Sequence, residues 1–246
     1  MKKISMSKDE YSVLVDEVLT FLAKENEQKL PTDISLDDRR WLIDNLMLIR
    51  TMGCLDIKFI SLQDRLLSYE NNLNPIIDAD TLKFKKNISH FHGDFISLSA
   101  DMLTVISDSL FARFDSDMAS LDNRLVLRAG LQLYEDYFSE WRSDYTKIHY
   151  DKPYITDGYN TQYDHIAKIV FRLDPVSNAV DETSLVKALE NLFVQVRELN
   201  LHSIAVQISE SLSKNIYDKI SFAVQSELEK INKKYKIKLI YISDDK

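Results

Sequence analysis

Five short apolar runs, separated by stretches of helical period, constrain this chain more than any other feature. They lie at 87–91 (Asn-Ile-Ser-His-Phe), 102–106 (Met-Leu-Thr-Val-Ile), 166–171 (Ile-Ala-Lys-Ile-Val-Phe), 204–208 (Ile-Ala-Val-Gln-Ile) and 237–242 (Ile-Lys-Leu-Ile-Tyr-Ile). Runs of this length bounded by polar residues read as strands. Between them Leu185, Leu189, Leu192, Phe193, Val196 and Leu199 fit one helical face over 183–199. Ile216, Ile220, Ala223 and Val224 open another helix that continues to about 233. Strands alternating with helices predict an α/β sheet covered on both faces.

Before residue 84 the period is helical. Ser7 and Glu10 have capping-box spacing ahead of Tyr11, Leu14, Val15, Val18, Leu19 and Leu22. Pro31 interrupts the chain, Ser35 and Asp38 open a second helix carrying Leu42, Leu46 and Ile49, and Gly53 marks its stop. A third helix from about 56 to 69 carries Phe59, Leu62, Leu66 and Leu67. Asn71-Asn72-Leu73-Asn74-Pro75 breaks that pattern and reads as a linker. The chain thus divides into a helical extension, 1–75, and an α/β domain, 76–246.

Composition narrows the function. With 31 Lys+Arg against 39 Asp+Glu the formal charge is −8, which argues against a protein that tracks nucleic-acid phosphates. No apolar run approaches the roughly 18 residues that cross a bilayer. Met1-Lys2-Lys3 has no apolar segment behind it, so no signal peptide is expected. The single cysteine, Cys54, forbids an internal disulfide and fits a reducing, cytoplasmic setting. Only four glycines occur, at 53, 93, 130 and 158, and neither G-x-G-x-x-G nor a Walker A motif is present. His90 and His92 share a strand face, yet spacing marks no third ligand for a zinc site. Asp115 with Asp117, and Asp244 with Asp245, read as solvated surface, and Cys54 as an inert thiol. Tyr134, Tyr137, Phe138, Trp141 and Tyr145 fall at helical spacing and read as core.

Several stretches resemble a known family. His92-Gly93-Asp94-Phe95-Ile96, followed by Ala100-Asp101-Met102-Leu103, resembles the G-D-I-T … D-A-I-V-N-A-A-N opening of a macrodomain. Tyr154-Ile155-Thr156-Asp157-Gly158-Tyr159-Asn160 is similar to its I-T-x-x-Y-N segment, and Glu198 to Ala205 to its E-x-x-L-x-S-I-A junction. Leu42 to Arg50, Phe59 to Asp64, Leu121-Asp122-Asn123 and Ala129 to Leu133 resemble segments of the zinc-dependent, sirtuin-linked macrodomain ADP-ribosylhydrolases. The resemblance implies a three-layer α/β/α macrodomain sandwich with an N-terminal helical appendage.

It also implies a site that has changed. Where that subfamily takes zinc from two cysteines and a histidine, this chain has Arg113, Ser120 and Met118, so zinc is expected to be lost and no cofactor retained. The ribose-facing N-A-A-N segment reads Val105-Ile106-Ser107-Asp108, and Lys168 stands at a family histidine. In the phosphate loop, Ile208-Ser209-Glu210-Ser211, a serine replaces the glycine and Glu210 brings a negative charge toward the diphosphate. Asp94 remains as the adenine-contacting carboxylate. The vestigial ligand site implied is Asp94, Phe95, Ile96, Asp108, Ser209, Glu210 and Ser211, with no catalytic residue and no metal. The function expected is a non-catalytic pseudoenzyme acting by binding or assembly, with weak or no ADP-ribose binding and an unidentified protein partner. The alternative is an ADP-ribosylhydrolase or ADP-ribose binder using substituted residues such as Asp108, Glu210 or Lys168.

Overall fold

The structure, a computed structural model, describes residues 5–49, 57–110, 120–143, 147–174, 177, 179–209 and 213–243. Gly53, Cys54, Arg113, Asp115, Asp117, Met118, Tyr145, Glu210, Ser211, Asp244 and Asp245 lie outside the described residues. Three helices come first: α1 (Lys8–Glu25), α2 (Leu36–Ile49) and α3 (Ile57–Asn72). Then come β1 (Ile77–Asp78), β2 (Ile88–His92), β3 (Leu98–Ser107), α4 (Leu121–Ala129), α5 (Leu131–Ser143), β4 (Tyr154–Asp157) and β5 (Tyr163–Val170). The chain continues through α6 (Glu182–Glu198), β6 (Ser203–Ile208), α7 (Lys214–Tyr235) and β7 (Lys238–Ser243). The two N-terminal caps form as their spacing predicts. Ser7 and Glu10 exchange a reciprocal pair of bonds, and the Ser35 hydroxyl accepts from the Asp38 N–H.

The sheet runs β2-β7-β6-β3-β5-β4, with β1 paired along the start of β3. Every pairing is parallel except β4 with β5. β3 lies between β5 and β6 and is covered on both faces, which is why every residue from Met102 to Ile106 is buried and all but Thr104 are apolar. On one face Leu103, Val105, Ile166, Val170, Ala205 and Ile240 meet Leu121, Leu125, Leu133 and Tyr137 of α4 and α5. On the other, Met102, Ile106, Ile169, Val206 and Leu239 meet Leu189, Phe193, Val224 and Leu228 of α6 and α7. This is the expected three-layer arrangement. Among the described residues no helix is long and apolar enough to cross a membrane.

The segment read as a linker is not free chain. α3 continues through Asn72, and Asn71 is only 1% exposed, its amide donating to the carbonyls of Arg128 (3.1 Å) and Asn160 (2.7 Å). Asn160, in the β4–β5 turn, donates to Asp64 Oδ1 and to the Ala129 carbonyl, both at 3.0 Å, and accepts from Ser68 Oγ at 2.9 Å. Gln63 Oε1 accepts from the Leu131 N–H at 3.1 Å across the α4–α5 break. Gly130 makes that break with φ +108°, and a Cβ there would lie 3.3 Å from Gln63 Oε1. Gly158 opens the β4–β5 turn so tightly that a Cβ would sit 1.7 Å from the Tyr163 carbonyl oxygen. Gln63-Asp64, Ala129-Gly130 and Gly158-Tyr159-Asn160, quoted above from separate motifs, therefore meet in one buried joint. Its hydrogen bonds form only when α3, α4, α5 and the β4–β5 turn are all in place.

Candidate functional site

In an open α/β sheet the crevice for a ligand lies beyond the carboxyl ends of the parallel strands, beside the central one. Here that position is framed by Gly93-Asp94 after β2, Asp108 after β3 and Ser209 after β6. The strand ends are held by main-chain bonds: Ser209 N–H donates to the Ile106 carbonyl at 2.8 Å, and Phe171 N–H to the Ser107 carbonyl at 3.0 Å. Ser107 Oγ in turn donates to the Ser109 carbonyl at 2.8 Å, fixing the chain as it leaves β3.

The first turn of α4 determines what faces this crevice. Ser120 caps it, its hydroxyl accepting from the Asn123 N–H at 3.3 Å. Asp122 points inward and bonds Lys168 Nζ of β5, a pair with side chains 6% and 2% exposed. Lys168 sits in register with Val105 of β3, and Val105 with the buried Gln207 of β6, so the pair lies directly over the sheet's centre. Next to it, burial and then the Asp122 carboxylate hold the Tyr137 phenol well above its ordinary pKa, so it stays neutral.

Two residues after Asp122, Arg124 turns the other way. Its Nη1 lies 3.3 Å from Asp94 Oδ2, and its guanidinium sits 5.8 Å from the centre of the Phe95 ring. Asp94 Oδ1 accepts from the Ile96 N–H at 3.3 Å, capping a short turn. Both carboxylate oxygens of the adenine-contacting candidate thus have partners within the chain.

The site candidates named from sequence are brought together only in part. Asp94, Asp108 and Ser209 lie just past the ends of β2, β3 and β6. Phe95 and Ile96 are at the same place, but their side chains are core, 0% and 5% exposed, and the Phe95 carbonyl accepts from Tyr163 Oη at 2.8 Å. Val105 is wholly buried within β3. His90 and His92 lie exposed on the edge strand β2, His90 5.5 Å from the Tyr241 ring and His92 Nδ1 2.8 Å from Ser243 Oγ. Sequence reading missed both ion pairs. The one available signal was the family histidine replaced by Lys168, a cation that must find a carboxylate if buried.

A three-layer α/β/α sandwich whose mixed sheet is parallel but for one edge strand defines a small class of folds. The chain has the macrodomain fold. A Trypanosoma brucei macrodomain solved with ADP-ribose matches it at TM-score 0.54 and 13% identity, covering 82% of this chain and 89% of that one. The macrodomain of ganglioside induced differentiation associated protein 2 matches at TM-score 0.52 and 15% identity over 70% of this chain and 90% of that one. An Oceanobacillus iheyensis macrodomain solved with ADP matches at 0.53 and 15%, over 67% and 88%. The first coverage exceeds what residues 76–246 alone could supply, so that likeness reaches into α1–α3. No family model matches the chain, and no curated protein matches it in sequence.

Proposed function

We propose that this chain is a non-catalytic macrodomain-fold protein that acts by binding or assembly, its crevice closed over its own ion pairs. The observation that carries this reading is the first turn of α4, which sets Asp122 on Lys168 and Arg124 on Asp94. Solved macrodomains of the same fold hold ADP-ribose or ADP. Such a ligand would have to share Asp94 with Arg124, whose Nη1 lies 3.3 Å from Oδ2. Glu210, in the phosphate loop by sequence, adds a like charge costing on the order of 4 kcal/mol at about 4 Å and an effective dielectric near 20. Zinc has no part in this reading. Ser120, at one of the family's ligand positions, is engaged as a helix cap, Arg113 brings a cation, and Met118 is not a good zinc ligand.

The test is incubation of the intact chain with a mono-ADP-ribosylated peptide, with and without added zinc. No release of ADP-ribose above buffer is expected. Release that scales with protein concentration would overturn the non-catalytic reading.

A further inference from the structure

The pole where β2, β6 and β7 begin, opposite the strand ends described above, carries a concavity of about 340 Å³. We propose that it is an anion-binding site for a diphosphate group. Its wall includes Arg197, His202, Lys236 and Lys238 and not one carboxylate, in a chain whose net charge is −8. Around it the sequence concentrates cations in two tracts, Lys83-Phe84-Lys85-Lys86 and Lys233-Lys234-Tyr235-Lys236-Ile237-Lys238. The fold brings them together: Asn87 Nδ2 donates to the Lys236 carbonyl at 3.4 Å, the Leu239 N–H to the Asn87 carbonyl at 2.8 Å, and the Lys238 N–H to the His202 carbonyl at 2.9 Å. Three turns from distant parts of the chain thus form one rim.

The neighbouring carboxylates already have partners, Asp101 and Asp80 on residues of the wall itself. Asp101 Oδ2 accepts from the His202 and Ser203 N–H groups at 2.5 and 2.9 Å, and Glu198 accepts from Gln195 at 2.8 Å. Asp80 pairs with Lys238 at 2.6 Å. Among the described residues neither Arg197 nor Lys236 makes an ion pair, so two cations face the cavity uncommitted. Helix dipoles account for some of this charge, since α6 and α7 both end here and Arg197, Lys233 and Lys234 lie in their last turns. They do not account for Lys238 or the first tract, which lie outside either helix.

Lys236 is the most informative of these residues. It follows α7 in the left-handed conformation, φ +61°, where glycine is the favoured residue. Asn87 and Asn200, on the same wall, are also left-handed at φ +65° and +55°. A lysine at such a corner gives up backbone comfort to place a cation on the rim. A cavity of this size with several convergent cations suits a compact, doubly charged group.

The experiment is calorimetric titration of the intact chain with inorganic pyrophosphate in low-salt buffer, repeated with ADP. One saturable site is expected. Lys236→Gly should weaken it about tenfold, the loss of one charge-assisted contact, while the melting temperature holds or rises. Arg197→Gln should weaken it similarly. Weakening of both ligands in Lys236→Gly assigns a nucleotide-borne diphosphate, and weakening of pyrophosphate alone a free one. Absence of saturable pyrophosphate binding, or binding unchanged in both variants, would overturn the proposal, as would a long nucleic acid binding where pyrophosphate does not.

Discussion

Lys168→Met alone is expected to destabilise the chain by about 3–5 kcal/mol, and Asp122→Leu alone by a similar amount. The reason is the burial of the pair, 2% and 6% exposed. Removing one partner strands the other charge in a low-dielectric interior, where no water can replace the lost bond. The double variant Lys168→Met/Asp122→Leu strands nothing and should recover most of the loss, because two apolar side chains of similar volume suit the surrounding core of Val105, Ile166 and Tyr154. Urea denaturation of the three variants measures this directly. Single losses below about 1 kcal/mol, the range of exposed pairs, would show that the ion pair does not close the crevice floor.

The second large effect concerns residues 1–75. Leu14, Val18, Leu22, Ile43, Met47, Phe59 and Leu66 are at most 2% exposed and share one core with Val126, Leu127, Leu131 and Tyr134 of α4 and α5. A fully buried side chain of this kind contributes roughly 1.5–3 kcal/mol. Deleting the helices would expose the outer face of α4 and α5 and leave Asn160 without Asp64, Ser68 and Asn71. Typical domains are stable by only about 5–15 kcal/mol. The 76–246 fragment is therefore expected to be insoluble or unfolded at 25 °C, and the intact chain to melt in a single transition. A soluble fragment with the intact chain's melting temperature would contradict this and make the helices an independent module.

The elements legible in the sequence are those whose burial is periodic. The three N-terminal helices, β2, β3, β5, β6, β7, α6 and α7 all follow from spacing, with ends shifted by a few residues. β1, two residues long, and the antiparallel edge strand β4 (Tyr154-Ile155-Thr156-Asp157) escaped because neither has a run long enough to show a period. Asn71 misled for a different reason. An asparagine-rich stretch before proline is locally a helix breaker, but Asn71 is held in the helix by carbonyls 57 and 89 residues away in sequence. The side-chain pairing around the strand ends was not legible. Asp94, Asp108 and Ser209 follow apolar runs that spacing shows as strands, yet nothing in spacing pairs Asp122 with Lys168 across 46 residues, or Arg124 with Asp94 across 30.

Titration of the intact chain with ADP-ribose tests the central claim, a crevice closed over its own ion pairs. Parallel runs on Asp94→Ala and Lys236→Gly separate the crevice from the opposite pole. The expected result is no Asp94-dependent binding tighter than about 100 μM, or roughly −5.5 kcal/mol. A low-micromolar isotherm that survives in Lys236→Gly and vanishes in Asp94→Ala would contradict it.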